Sequence, residues 1–145
     1  MTLAYTPFKI FHYPDKLLSM STEIGTPEAP IHVRIKPINL CNHHCWYCAY
    51  KAKDMQLGED MDQKDQIPED KMMEIAEDLI SMKVKAVTFS GGGEPFLYKP
   101  LLKVSKKLIA FGIQITSLTN GSKREDELAE YFAHDGTWLL IPMEA

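Results

Sequence analysis

Alternating strand-like and helix-like segments beyond residue 30 predict an α/β fold built on a parallel sheet. Three observations carry that prediction. The periods follow one another in the order β-α-β-α-β-α-β. Each crossover has room for one helix, which makes the strands parallel and the connections right-handed. The polar and glycine-rich motifs all fall at C-terminal strand ends, the edge where ligands bind in such folds. Barrels and open doubly wound sheets both begin this way, and the pattern alone does not choose between them.

Residues 1–30 come first. They carry Pro7, Pro14, Gly25, Pro27 and Pro30 without sustained periodicity and read as an irregular N-terminal arm. Phe8, Ile10, Phe11, Tyr13, Leu17 and Leu18 are expected to pack onto the body, since so apolar a segment seldom stays in water. Residues 31–145 read as the domain proper. Ile31 to Lys36 alternates apolar and polar residues and is a strand. A polar, acidic stretch from Asp54 to Gln66 is expected to be a solvated, mobile loop. Pro68 suits the first turn of a helix, and Met72, Ile75, Ala76, Leu79 and Ile80 keep helical spacing to about Lys83.

Val84 to Phe89 is the second strand. Leu101, Val104, Leu108 and Phe111 mark a second helix, with Gly112 at the expected cap. Ile113 to Leu118 is the third strand and runs into Thr119-Asn120-Gly121. Ser122 and Glu125 have capping-box spacing ahead of a helix carrying Leu128, Tyr131 and Phe132. Thr137 to Met143 is the fourth strand.

Composition narrows the function classes. The chain has 145 residues, 45% hydrophobic and 25% charged, the balance of a globular domain with a real core. A net charge of −4 argues against a nucleic-acid-binding surface, which would be basic. The N-terminus lacks a basic segment followed by an apolar run. The longest apolar stretch, Trp138 to Met143, is too short to span a bilayer. The expectation is a soluble, cytoplasmic protein without membrane or nucleic-acid partners.

All the cysteines, Cys41, Cys45 and Cys48, fall within one stretch, Cys-Asn-His-His-Cys-Trp-Tyr-Cys. Thiolate is the soft ligand of iron–sulfur clusters, and a complete site normally uses four. Three leave one iron of a cube without a protein ligand, free to bind a substrate or cofactor. Zinc held with His43 or His44 is an alternative, though zinc motifs usually pair their ligands across two knuckles. A disulfide framework suits neither an odd number of cysteines nor the compartment.

The Cys-x3-Cys-x2-Cys spacing, with Tyr47 before the last cysteine, resembles the signature of the radical S-adenosylmethionine (SAM) enzymes. Ser90-Gly91-Gly92-Gly93-Glu94-Pro95 resembles that family's Gly-Gly-Glu-Pro motif. The resemblance runs from about Pro30 to the end, with a weaker echo in Lys9 to Lys16. It implies a TIM-type (β/α) barrel, of which four parallel strands lie here, so that the chain is expected to be about half of a catalytic domain. It implies a [4Fe-4S] cluster on Cys41, Cys45 and Cys48, with SAM chelated by the fourth iron and cleaved by one electron to a 5′-deoxyadenosyl radical. It implies that Gly92, Gly93, Glu94 and Pro95 border the methionyl amino group of SAM and that Tyr47 contacts the adenine. Asn120 and Glu144 are further candidates for binding SAM. A reductant protein such as flavodoxin or ferredoxin is an implied partner. Many relatives read roughly Arg-Ile-Ser-Leu-Asp-Ala on strand four, where this chain has Leu140, Ile141, Pro142, Met143, Glu144 and Ala145. That departure keeps a non-catalytic iron–sulfur module in view as an alternative.

Overall fold

The computed structural model describes residues 3–19, 28–51, 59, 61–123, 127–134 and 138–140. Strands β1 (His32–Ile35), β2 (Ala86–Phe89), β3 (Gln114–Leu118) and β4 (Trp138–Leu140) form one sheet. The order is β1-β2-β3-β4 and every pairing is parallel. A doubly wound sheet reverses direction and places later strands outside the first. Among the described residues β4 follows β3 and no strand lies outside β1, an order shared with a barrel's opening strands.

Helices cross over between these strands: α2 (Glu69–Ser81), α3 (Leu101–Ala110) and α4 (Glu127–His134). Their apolar stripes cover one face of the sheet. Met72, Ala76 and Leu79 from α2, Leu101, Val104 and Leu108 from α3, and Ala129 and Phe132 from α4 pack against Ile35, Val87, Phe89 and Ile115. Strand alternation sends His32, Arg34, Ala86, Thr88, Gln114 and Thr116 to the other face. Gly112 caps α3 with φ +77°, its amide bonding Ile109 O while Ile113 N reaches Leu108 O. The end of α2 uses the same pattern with Lys83 at φ 56°, a conformation that favours glycine. The expected capping box lies partly outside the described residues, as does strand four beyond Leu140.

The arm is more regular than its sequence suggests. It contains 3-10 turns at Leu3–Tyr5 and Lys9–His12 and a short helix, α1 (Pro14–Ser19). Ile10 and Tyr13 pack inward as expected, beside Ala4, Ile31 and Ala86. Phe8, Phe11, Leu17 and Leu18 do not; Phe8 and Phe11 are 66% and 68% exposed. A turn of three or four residues can present only one side to the sheet, and Tyr5, Ile10 and Tyr13 occupy it. Tyr5 is the anchor: its hydroxyl donates to Val87 O at 3.1 Å and Gln114 O at 2.9 Å, and burial raises its pKa well above the phenolic range.

Next to Tyr5, its ring edge-on at 5.2 Å, lies His32. Its Nε2 is 2.7 Å from Thr88 Oγ1 and its Nδ1 is 3.4 Å from Lys9 Nζ. An ammonium can only donate, so Nδ1 accepts and the ring is neutral with its proton on Nε2. Burial holds the His32 pKa down, and the charges of Lys9 and Arg34 add to that. The unfolded chain therefore binds a proton that the folded chain resists, and stability falls as pH drops below about 6.5. Thermal melts between pH 7.5 and 5 should show this loss, and His32→Gln should flatten it. An unchanged slope in the variant would show that His32 is not the group responsible.

Candidate functional site

The β1–β2–β3 register puts Ile35 beside Phe89 and Phe89 beside Ser117. The cysteine loop, the glycine loop and Thr119-Asn120-Gly121 therefore all leave the sheet from one rim, as their sequence positions predict. What the sequence does not show is how tightly they are joined.

The segment from Pro37 to Leu40 leads from β1 to Cys41 and is held from both sides. On one side Ile38 bridges Gln66 in antiparallel fashion, Asn39 N donates to Asp65 O and Ile67 N to Pro37 O. The described end of the expected mobile loop, residues 61–66, is thus docked; most of the rest of that loop lies outside the described residues. On the other side the ladder between β1 and β2 continues into the loops. Ser90 N donates to Ile35 O, Gly93 N to Ile38 O at 2.9 Å and Glu94 N to Leu40 O at 2.8 Å.

This pairing explains the glycines. A Cβ on Gly93 would lie under 3.0 Å from Leu40 O and from main-chain atoms of Asn39. A Cβ on Gly92 would strike the Asn39 side chain. In the structure Gly92 and Gly93 leave room for the backbone that leads to the cysteines.

Glu94 is 2% exposed, and its carboxylate is turned into the protein. Oε1 accepts from Phe96 N at 3.0 Å and Thr119 Oγ1 at 2.6 Å, and Oε2 accepts from Asn120 N at 2.7 Å. The side chain ties the glycine loop to the end of β3, while Pro95 starts the 3-10 turn Pro95–Leu97, in which Pro95 and Phe96 are buried. Thr119, not singled out from the sequence as a site residue, is 2% exposed and part of this brace. Its position at a strand's C-terminal end was the signal available.

Cys41, Cys45 and Cys48 are partly buried free thiols. A turn from Cys48 N to Cys45 O at 3.1 Å shapes the second half of their loop. Lys51, also not anticipated, folds back to donate to Cys41 O at 3.3 Å and His43 O at 2.5 Å. Among the described residues, two N–H groups face the Cys41 sulfur: His43 N at 3.5 Å and Asn120 Nδ2 at 3.9 Å. Among the described residues, no three His, Cys, Asp or Glu side chains converge into a metal-holding group. The donor set nonetheless fits an iron–sulfur cluster: soft ligands only, not joined in disulfides, on one loop, with N–H donors aimed at a sulfur. Trp46, 86% exposed, is not packed in a core; Tyr47 stands edge-on to it at 5.5 Å. Tyr50 lies under Lys36 Nζ at 4.4 Å. Glu144 lies outside the described residues.

The profile of the radical SAM superfamily matches residues 35–145, which take in all three loops. This chain belongs to the radical SAM superfamily. An S-adenosylmethionine-dependent nucleotide dehydratase from Lacinutrix mariniflava is 28% identical over 105 residues, covering 72% of this chain and 21% of that protein. The chain thus spans about a fifth of that curated relative's length. The crystal structure of BtrN in complex with AdoMet and 2-DOIA superposes with a TM-score of 0.65 at 17% identity, over 81% of this chain and 47% of BtrN. At that identity the likeness is one of fold, and it supports the partial-barrel reading of this radical SAM chain. Among the described residues, no helix is long and apolar enough to cross a membrane.

Proposed function

We propose that this chain carries the cofactor-binding part of a radical SAM enzyme, with Cys41, Cys45 and Cys48 as the three protein ligands of a [4Fe-4S] cluster and SAM beside it. One observation carries the reading: the loop bearing three free thiols is hydrogen-bonded, main chain to main chain, to the Gly-Gly-Glu-Pro loop. That joint supports a cluster and SAM held side by side.

When bound and reduced, the cluster supplies the electron that cleaves SAM to methionine and a 5′-deoxyadenosyl radical, which takes a hydrogen atom from the substrate. The chain's own part is to bind and orient. The amides of Gly93 and Glu94 are engaged by Ile38 O and Leu40 O, in the segment that leads to Cys41. A methionyl amino group is a donor, so the segment's share in holding it falls to main-chain carbonyl oxygens. Glu94 keeps those carbonyls in place from behind. Tyr47 offers a partly exposed ring for the adenine. Reduction is assigned to a small electron carrier such as flavodoxin or ferredoxin, in the cytoplasm, where thiols stay reduced.

The test is anaerobic reconstitution of the full chain with iron and sulfide, followed by reduction in the presence of SAM. The expected products are methionine and 5′-deoxyadenosine, with an electron paramagnetic resonance spectrum that changes when SAM is added. A chain that takes up no iron and sulfide would refute the reading. The second reading, a non-catalytic iron–sulfur module, is favoured by the altered strand-four sequence from Leu140 onward. It predicts a cluster whose spectrum ignores SAM.

A further inference from the structure

Asn120 sits before Gly121, where asparagine commonly does no more than make a turn. Part of its bonding fits that role: its Oδ1 accepts from Ser122 N at 2.9 Å. That bond also fixes the amide's orientation, because a main-chain N–H must face the oxygen. The opposite end is therefore the donor. Nδ2 points to Asn42 Oδ1 at 3.0 Å and to Cys41 Sγ at 3.9 Å. Asn42 is held in turn by Ser122 Oγ at 2.8 Å. The main chain of Asn120 is tied to Glu94 Oε2 at 2.7 Å, and Glu94 is buried. The amide has little freedom to turn away from the sulfur.

We propose that Asn120 is a positioning residue whose side-chain amide donates to the Cys41 sulfur and raises the reduction potential of the cluster held there. The inference rests on the cluster reading above. An N–H donor stabilises electron density on a cluster sulfur, and the reduced state has more of it, so hydrogen bonds to sulfur favour reduction. Radical SAM chemistry begins with that reduction. The residue touches neither SAM nor substrate in this role; it acts through a ligand.

The test uses the reconstituted full chain and reads the midpoint potential by titration followed with electron paramagnetic resonance. Asn120→Leu removes the donor without adding charge. The expected result is about a tenfold weaker reduction equilibrium, a shift of ~59 mV to more negative potential for one electron. Asn120→Asp keeps the turn-making oxygen, removes the donor and adds a negative charge, and should shift further the same way. A purely turn-making asparagine predicts a Leu variant with the wild-type potential, and that result overturns the proposal. A second measurement needs no variant. With asparagine labelled by 15N in its side-chain amide, pulsed resonance on the reduced wild-type cluster should show a weak 15N coupling. Its absence overturns the proposal even if neither variant retains a cluster. A wild-type chain with no cluster at all refutes the function proposed above and this inference with it; a wild-type cluster without asparagine coupling refutes this inference alone.

Discussion

Gly93→Ala is expected to cost the fold roughly 3 kcal/mol or more and to stop the cysteine loop from holding a cluster. The added Cβ would meet Leu40 O and the Asn39 main chain, and main chain cannot swing aside as a side chain can. Relief requires the two loops to part, breaking the bonds from Gly93 N to Ile38 O and from Glu94 N to Leu40 O. Each is worth about 1 kcal/mol, and overpacking adds about 1–3 kcal/mol. Gly92→Ala should be milder, because its obstacle is the Asn39 side chain. Thermal melts of the two variants, with iron content after reconstitution, decide the matter. Equal melting temperatures for Gly93→Ala and wild type would show that the loops are not joined as described.

Glu94→Ala should be comparably severe for a different reason. Phe96 N, Thr119 Oγ1 and Asn120 N all donate to this one carboxylate. Removing it leaves donors in or next to a buried site without an acceptor, at about 1–3 kcal/mol for each that water cannot reach. The net loss should be roughly 3 kcal/mol or more, since bonds to a charged acceptor are the stronger kind. Glu94→Gln keeps one acceptor oxygen but turns a donor toward one of the three partners, so it should fall between Ala and wild type. If Glu94 served SAM alone, both variants would melt like wild type and differ only in SAM binding. Calorimetry without cofactors separates the two roles.

Much of the fold was legible in the sequence because its signals are local. The helix of Met72, Ala76 and Leu79 shows in a 3.6-residue period, and Gly112 marks a cap that the observed φ confirms. The order of the strands was not legible, since the same β-α-β periods open both barrels and doubly wound sheets; only the pairing decides. In the arm, hydrophobicity pointed to Phe8 and Phe11, whereas a hydroxyl on Tyr5 meeting strand carbonyls sets the docking. In the site, motif spacing named the cysteines and the glycine loop. It could not show that the glycines face the cysteine loop, that Glu94 turns inward, or that Lys51 closes back on Cys41 and His43. Those depend on contacts between segments far apart in sequence.

The one-way winding of the sheet has a consequence for the order of assembly. Each strand pairs with the one that follows it in sequence, so every sheet contact closes over a single helical crossover and none waits for a distant segment to return. Loop-closure entropy is then lost in small, successive steps, and the sheet can grow from one edge unit by unit.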